Sequence, residues 1–310
     1  MAPPQRGLDS WVGYLSCTGG AINPEKSYCY LVDYLWTGTR WRYRNAQEMS
    51  GEVNAPNPEG EIKPLQRLEP SQAAKQLGIF TAPDGNSTDQ FNYLMGKAET
   101  FADKMKSQNI LSKNDAWINL THTITKTMEY PMGSTTLVEK QWDKIATTIK
   151  QAALPKAGIV RTFPHAVLYG PSKFQGLDWM NLWHDQELTH LYNMVDAVNG
   201  KTKGLRYQAT TEQLRLETGY PGRFTEVPFE ILGDLTTDTW IKTLWSYCHQ
   251  HSISIKDSFG TFDLLREHDV FLMPLFVSKF GDDPTTLRIL HLTFNTVINI
   301  TPSQAGFNYK

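Results

Sequence analysis

The sequence predicts an α+β fold that is mainly helical, with a small N-terminal sheet, a three-helix bundle and a mostly helical C-terminal region. Three observations indicate this fold class. An aromatic and β-branched run lies near the N-terminus, three segments between residues 86 and 154 show the helical period, and further helical patterns follow. The changes in pattern divide the chain into residues 1–85, 86–156 and 157–310.

The N-terminal strand pattern covers residues 28–36, YCYLVDYLW, which are followed by a Thr-Gly-Thr turn and by RWRYR. This order predicts a β-hairpin. Residues 45–70 are rich in Pro, Gly, Glu and Asn without periodicity, and they predict a loop. The segment AAKQLGIFTAPDGN then predicts one further strand that ends at a Pro-Asp-Gly turn.

Two amphipathic helices follow this strand. The first helix begins after a cap at Asn86 or Ser87. The second helix begins at Ser112, which forms a capping-box pattern with Asp115, and it stops at Pro131. Their apolar faces have the period of an α-helix. The predicted faces are Phe91, Leu94, Ala98, Phe101 and Met105 in the first helix, and Trp117, Leu120, Ile124 and Met128 in the second.

A third helix is predicted to begin at Thr136 and to end before Pro155, because proline disrupts a helix interior. Its predicted buried residues are Val138, Trp142, Ile145, Ile149 and Ala152. Lys140 and Lys144 lie one turn apart and off this apolar stripe. Short connections between the three helices predict a small antiparallel bundle.

Beyond this bundle, a helix is predicted from about residue 185 to residue 198, with Leu188, Leu191, Val195 and Val198 facing inward. Residues 206–218 and 238–251 are further helical candidates. The apolar tail, FLMPLFVSKF followed by LRILHLTFNTVINI, is compatible with either strands or helices.

Composition limits the classes of function. The formal net charge of −2 excludes a molecule that is strongly basic as a whole, but residues 126–173 carry seven basic side chains against three acidic ones. Three cysteines without framework spacing fit a reducing compartment. The N-terminus has no signal-peptide pattern, and no apolar run approaches the roughly 20 residues that cross a bilayer. We expect an intracellular protein, nuclear or cytoplasmic, without a membrane partner.

The G-G-x-x-N-x-x-K spacing at Gly19, Gly20, Asn23 and Lys26, followed by an aromatic hairpin, resembles the segment just after the catalytic loop of reverse transcriptases. The hairpin over residues 28–43, the Leu-Gly strand at residues 77–80 and three helices over residues 86–154 keep the order of primer grip and thumb in that family. Residues 154–183, 240–253 and 271–281 resemble the region after the thumb in non-LTR retroelements. The resemblance covers about residues 11–300.

The metal-binding aspartates of that family lie upstream of the position that matches Gly19, where this sequence has 18 residues. The resemblance therefore implies a C-terminal piece of a polymerase: the end of the palm, the primer-grip hairpin, the thumb and a connection region. Polymerase chemistry needs two divalent ions held by carboxylates. We expect no cofactor in this chain, since Mg²⁺ belongs to the complete family enzyme, and no polymerisation unless a separate chain supplies palm and fingers.

The resemblance implies two kinds of site. Lys26 matches a lysine that protonates pyrophosphate or contacts the phosphates of the nucleotide. An RNA/DNA duplex is the implied partner, bound weakly through the thumb. The candidate nucleic-acid-binding residues are the aromatic Tyr30, Tyr34 and Trp36, which alternate along the predicted strand, and the basic Lys140, Lys144, Lys150 and Lys156. The alternative is a noncatalytic protein-interaction or nonfunctional remnant with no nucleic-acid role, in which the aromatic residues are core and the lysines are a solvated surface.

Two tempting motifs are interpreted as structural. Phe280-Gly281-Asp282-Asp283 spells the polymerase F-x-D-D pattern, but it lies about 260 residues too late in the order and precedes a proline. Cys248, His249 and His251 form a Cys/His cluster without the second pair that a structural zinc site uses. No metal site is therefore predicted.

Overall fold

A computed structural model describes residues 3–37, 41–49, 51–199, 205–222, 225–255, 271–281 and 283–294. The fold is α+β and mainly helical, which confirms the predicted class. Contacts divide the chain into two compact units, residues 1–93 and 94–310, with the boundary inside a long helix. This division is coarser than the three predicted segments.

The first unit begins with a helix that the sequence analysis does not predict, α1 (Pro3–Cys17). The side chain of Gln5 connects this helix to Asn54 through two hydrogen bonds. Its amide oxygen accepts the N–H of Asn54 at 2.8 Å, and its amide nitrogen donates to the C=O of Asn54 at 2.9 Å. The strands of this unit are short. They are β1 (Tyr28–Tyr30), β2 (Tyr34–Trp36), β3 (Trp41–Tyr43), β4 (Asn54–Pro56), β5 (Ile62–Pro64), β6 (Gln66–Leu68), β7 (Ala74–Gln76) and β8 (Ile79–Thr81).

The pairing of these strands confirms the hairpin and corrects its extent. Strands β2 and β3 pair antiparallel with Tyr34 opposite Tyr43, whereas β1 pairs parallel with β6, which is distant in sequence. The predicted single strand over residues 28–36 is therefore two strands that belong to different sheets. The predicted loop over residues 45–70 is also wrong, because β4 and β5 pair within it and β6 lies at its end.

The strand predicted in the segment AAKQLGIFTAPDGN is a hairpin of β7 and β8. Leu77 (φ 48°) and Gly78 (φ 91°) form its two-residue turn. Positive φ at both central residues is characteristic of two-residue hairpin turns whose backbone twist matches the twist of the paired strands. The local Gly therefore reverses the chain where the sequence analysis expects a continuous strand.

The second unit contains most of the helices. They are α2 (Thr88–Ser107), α3 (Lys113–Ile118), α4 (Thr125–Glu129), α5 (Glu139–Lys156), α6 (His165–Leu168), α7 (Leu182–Asn199), α8 (Leu205–Thr218), α9 (Phe229–Leu232), α10 (Trp240–Gln250), α11 (Leu272–Phe280) and α12 (Pro284–Phe294). Helix α2 starts in the first unit, and a π-helical segment, Asn119–Ile124, joins α3 to α4. Helix α7 packs against α5, α8 and α10.

The periodicity of the first two predicted helices is confirmed. Leu94, Ala98 and Met105 of α2 are buried, and so are Leu120 and Met128 of the second helix. The side-chain oxygen of Ser112 accepts the N–H of Asp115, as the capping pattern predicts. The π-helical segment is not visible in the apolar pattern, because it preserves the same buried face.

The third predicted helix is displaced at both ends. Val138 precedes α5 and is 54% exposed rather than buried, and its N–H is satisfied by the side-chain oxygen of Gln141. Pro155 lies inside the last turn, so the predicted end before it is wrong. The helix ends instead at Lys156 and is followed by Gly158 (φ 79°), and the N–H of Ile159 bonds the C=O of Leu154 at 2.9 Å in a Schellman arrangement.

The C-terminal part of the second unit has a helical core. Trp245 lies at its centre, with its indole N–H donating to the C=O of Val227 at 3.0 Å. Leu272 and Phe276 of α11 and Leu287 of α12 are buried in the same cluster. The ambiguous tail is therefore helical over residues 272–280 and 284–294, and residues 295–310 lie outside the described part.

Candidate functional site

The exposed side of α5 carries two of the four predicted lysines. Lys140 and Lys144 lie one turn apart, and Thr147 and Gln151 continue the same row. All four are exposed, and the row faces away from the buried Trp142 and its stripe. We call these four residues the α5 outer face. These four residues carry two positive charges, and the exposed Asp143 lies one residue before Lys144.

Lys150 and Lys156 are directed elsewhere. Lys150 lies about 120° from Lys144 around the helix axis. It is half-buried, with its Nζ 3.2 Å from Nε2 of His165 and 3.3 Å from the hydroxyl of Tyr169. Lys156 donates to the C=O of Gln108 at 2.8 Å. The predicted set of four therefore separates into an exposed pair and two lysines that contact neighbouring segments.

Lys150 leads into a chain of aromatic contacts. The ring of Tyr169 stacks on Trp179 with centroids 5.6 Å apart, and the indole N–H of Trp179 donates to the hydroxyl oxygen of Thr125 at 3.0 Å. Burial, with a smaller contribution from Asp143, raises the pKa of Tyr169 to about 12, and burial also lowers the pKa of Lys150. The phenol is therefore a neutral donor and acceptor at physiological pH.

A surface cleft of about 590 Å³ lies beside these residues. Its walls are the short helix α6, the loop that follows it and the first turn of α7. The loop folds back onto α6 because the N–H of Leu177 bonds the C=O of Val167 at 2.8 Å and the N–H of Trp179 bonds the C=O of Leu168 at 3.0 Å. The lining residues are His165, Ala166, Tyr169, Asp178, Trp179, Met180, Asn181, His184 and Asp185. We call this cavity the α6–α7 cleft.

The start of α7 fixes the polar wall of the cleft. The side-chain oxygen of Asn181 accepts the N–H groups of Trp183 and His184, both at 3.2 Å, which is the usual pattern of an N-cap. Burial raises the pKa of Asp185 to about 6, and the charge of Glu129 makes a smaller contribution in the same direction. A hydrogen bond from the backbone of Asn181 partly offsets this increase. Asp185 is therefore mainly ionised at neutral pH, at a cost to the fold.

His184 connects this wall to α10. Its Nδ1 lies 3.2 Å from the hydroxyl of Tyr247, and its ring lies 5.4 Å from that of His251. Burial lowers the pKa of His184, with a further lowering by the charge of His251. His184 is therefore mainly neutral at physiological pH, so the cleft presents an imidazole ring beside the carboxylate of Asp185.

Behind the cleft, α7 buries polar side chains that sequence reasoning missed. Gln186 is 0% exposed and bonds the N–H and the C=O of Leu137, both at 3.0 Å, and accepts the indole N–H of Trp142 at 2.8 Å. Glu187 and His190 are also buried, with Nδ1 of His190 3.8 Å from Oε1 of Glu187. No apolar period marks this face, so hydrophobicity alone could not find it.

The candidate residues of the first unit lie on separate elements. Lys26 is exposed at the end of a 3₁₀ turn, Pro24–Lys26. Tyr30 belongs to β1, and its hydroxyl donates to the C=O of Gln72 at 2.8 Å. Tyr34 and Trp36 of β2 are 51% and 44% exposed. The three aromatic residues therefore do not alternate along one strand, and Tyr34 and Trp36 alone share a strand and its outer surface.

The two motifs interpreted as structural have structural contacts. Asp283 caps α12, because its carboxylate accepts the N–H groups of Thr285 and Thr286 at 3.3 and 3.1 Å. The hydroxyl of Thr286 also donates to this carboxylate, and this bond first, followed by those of the N–H groups, lowers the pKa of Asp283. Cys248 is buried, whereas His249 is exposed 3.3 Å from a carboxylate oxygen of Glu230. Asp282 lies outside the described residues.

The fold and these sites define the class of the chain as an α+β protein, mainly helical, with a basic helix face and a neighbouring cleft. Comparisons with protein-family models, curated proteins and solved structures found no match. Within the described ranges, no group of three or more His, Cys, Asp or Glu side chains could hold a metal ion. No helix in those ranges is both long and apolar enough to cross a membrane.

Proposed function

We propose that this chain is the C-terminal part of a non-LTR retroelement RNA-directed DNA polymerase and that, by itself, it binds an RNA/DNA duplex without catalysing polymerisation. The order of an aromatic hairpin, short strands and a helical unit along the chain supports this proposal. The observation that carries it is the α5 outer face, where Lys140 and Lys144 are both exposed one turn apart.

Binding follows from the charge of this face. A lysine ammonium group that contacts a phosphate releases condensed counterions, so each contact adds affinity that falls as salt rises. Such contacts carry no base sequence information. The chain therefore binds duplexes of different sequence with similar affinity, as a surface that follows the backbone of a polymerase product does.

Catalysis belongs to the complete enzyme in this proposal. We assign no step of Mg²⁺-dependent nucleotidyl transfer to the described residues, because the resemblance implies that the metal-binding aspartates belong to the palm. The family resemblance implies that Lys26 protonates pyrophosphate. In this proposal Lys26 has that role only when a separate chain supplies the palm and fingers. Isolated from that palm, Lys26 is an exposed lysine.

The test measures the affinity of the full chain for an RNA/DNA primer–template duplex as a function of salt. Lys140→Gln/Lys144→Gln is expected to reduce the slope of log K against log salt by about 1.8, since each phosphate contact contributes about 0.9. At 0.1 M salt we expect the affinity to fall about tenfold or more. The control, Lys104→Gln/Lys106→Gln, removes the same charge from two exposed residues at the end of α2.

The control variant distinguishes binding at the α5 outer face from a general effect of removing two positive charges from the chain. It should retain the slope and affinity of the wild-type chain. Equal losses in both double variants, or an unchanged slope in the α5 variant, would show that the α5 outer face does not bind the duplex. Absence of binding by the wild-type chain would favour the alternative of a protein-interaction or nonfunctional remnant.

A further inference from the structure

The α6–α7 cleft is not used by the duplex contacts described above, and its chemistry is different from theirs. The α5 outer face offers cations, whereas the cleft offers rings and carboxylates. A volume of about 590 Å³ falls within the range of small-molecule sites, about 300–1,000 Å³. The cleft can therefore admit a flat ring together with its sugar.

We infer that the α6–α7 cleft binds an unpaired nucleobase that carries an exocyclic amine, as cytosine, adenine and guanine do. This inference rests on the proposed nucleic-acid function and names a second class of contact for it. The base enters between the rings of the α6 wall and the carboxylate on the first turn of α7. It comes from a strand that extends beyond the duplex held by α5.

The rings supply the stacking surface. His165 begins α6, Tyr169 directly follows it, and His184 in the first turn of α7 also lines the cleft. The stacking of Tyr169 on the buried Trp179, 5.6 Å between centroids, fixes the orientation of its ring. A base that stacks on an aromatic side chain gains about 1–3 kcal/mol, and it does so without sequence preference.

The carboxylates supply the preference among bases. Asp178 and Asp185 line the cleft, and an ionised carboxylate can only accept hydrogen bonds. Cytosine presents an amine donor at the position where uracil and thymine present a carbonyl acceptor. A carboxylate therefore favours cytosine over uracil, and the same rule admits the amines of adenine and guanine.

The raised pKa of Asp185 agrees with a binding role. The fold holds this carboxylate in a partly desolvated place, with a pKa of about 6, where its ionised form is unfavourable. Perturbed groups of this kind concentrate at functional sites. A base amine would supply the hydrogen-bond donor that desolvation removes.

A nucleic-acid strand that contacts α5 can also reach the cleft. Lys150 is six residues beyond Lys144, about 9 Å along the helix axis. Its Nζ lies 3.2 Å from Nε2 of His165, which lines the cleft. A basic group therefore stands at the wall of the cleft, between the α5 outer face and the proposed base site.

The test compares three RNA/DNA duplexes bound by the full chain: one blunt, one with an unpaired cytosine overhang and one with an unpaired uracil overhang. We expect the cytosine duplex to bind about tenfold more tightly than the uracil duplex at pH 7.5. Asp185→Asn should abolish this difference, and Asp196→Asn, which changes an exposed carboxylate on the same helix, should retain it. The difference should also disappear below pH 6, where Asp185 is protonated.

A steric variant provides an independent check. Ala166 is an exposed lining residue of α6, and Ala166→Leu should fill the cleft and reduce binding of both overhang duplexes to that of the blunt one. Equal affinities for cytosine and uracil overhangs in the wild-type chain would overturn the inference. An unchanged preference in both Asp185→Asn and Ala166→Leu would also overturn it.

Direct titration separates this inference from the proposed function. Cytidine and uridine, which carry no phosphate, are titrated into the full chain by calorimetry. Preferential binding of cytidine that Asp185→Asn removes supports the cleft even if duplex binding fails. If the chain binds the duplex with the salt dependence expected for the α5 outer face but shows no preference for cytidine, the inference is overturned and the proposed function is retained. Putrescine binding as tightly as cytidine would overturn it in favour of a simple cation site.

Discussion

Replacing Gln186 by leucine tests whether the buried polar face of α7 stabilises the second unit. Gln186 is fully buried, and its amide group satisfies the N–H and C=O of Leu137 and the indole N–H of Trp142. Leucine has a similar size and a good helix propensity, so the helix itself should be retained. The variant removes the hydrogen bonds and leaves the packing nearly unchanged.

The magnitude follows from the groups that lose their partner. Leu137 is 0% exposed and Trp142 is 1% exposed, so water cannot easily replace Gln186. Each unsatisfied buried donor or acceptor costs about 1–3 kcal/mol. Gln186 also donates to Oε1 of the buried Glu187 at 2.8 Å, so four groups lose a partner. They predict a loss of about 4 kcal/mol or more, against a total of about 5–15 kcal/mol for a typical domain.

Urea unfolding followed by far-UV circular dichroism measures this loss. With a slope of about 2–3 kcal/mol per M, the midpoint should fall by about 1.5 M or more. Gln213→Leu is the control, because Gln213 is exposed on α8 and donates to Glu217 at the surface, and its effect should stay within about 0.5 kcal/mol. A loss below about 1 kcal/mol for Gln186→Leu would refute the reasoning.

A double variant identifies the pair that carries the effect. Trp142→Phe removes the indole N–H, so Gln186→Leu should cost less in that background than in the wild-type chain. The coupling energy should be about 1–2 kcal/mol, as for residues that share a buried hydrogen bond. Strict additivity would show that the indole donor finds another partner.

Three further outcomes follow from single contacts. Asp185→Asn should raise the stability above pH 6 by about 1–2 kcal/mol, because the pKa of Asp185 in the fold is about 6 and the wild-type chain loses stability as pH rises from about 4 to 6. Gly176→Ala should destabilise the cleft loop by several kcal/mol, at least ~3 kcal/mol, since a Cβ would lie 1.9 Å from the carbonyl oxygen of Gly170. Thr125→Val should cost about 1–3 kcal/mol or more, because the buried indole N–H of Trp179 loses its acceptor and the C=O of Leu120 loses the donor hydroxyl of Thr125. Denaturant titrations, repeated from pH 4 to 8 for Asp185→Asn, measure all three.

Matched variants set the baseline for these outcomes. Asp196→Asn should leave the pH dependence of the wild-type chain unchanged, since Asp196 is exposed. Gly96→Ala should stabilise α2 by about 0.5–1 kcal/mol, because a Cβ there meets nothing within 4 Å. Thr127→Val, on the exposed side of α4, should change stability by less than about 0.5 kcal/mol. A loss in Gly176→Ala no larger than that of an ordinary surface variant would contradict the close approach in the loop.

The helices between residues 88 and 156 show how far local patterns reach. Leu94 and Ala98, or Trp142 and Ile145, recur at helical spacing, and each pair is buried as predicted. The pattern fails on α7, where Leu188 and Val195 were expected inward but are each 37% exposed. The inward face holds Gln186, Glu187 and His190, because a buried indole and backbone groups on other segments need hydrogen-bond partners. Apolar periodicity cannot report such a requirement.

The candidate site shows the same limit. Lys140 and Lys144 are exposed together as their spacing on one helix predicts, because a single helical turn decides this. The position of Lys150 against His165 and Tyr169 depends on how α6 packs beside α5. Their contact is not encoded in any local motif, so the sequence predicts Lys150 together with the other lysines.

The sequence by itself determined the fold class, the period of the helices and the place of the N-terminal hairpin. Each of these depends on residues within a few positions of one another, whose backbone preferences act before the chain is compact. Tertiary structure alone decided that β1 pairs with β6, that α7 buries a polar face and that α6, its loop and α7 enclose a cleft. These features depend on groups far apart in sequence that must satisfy one another once water is excluded.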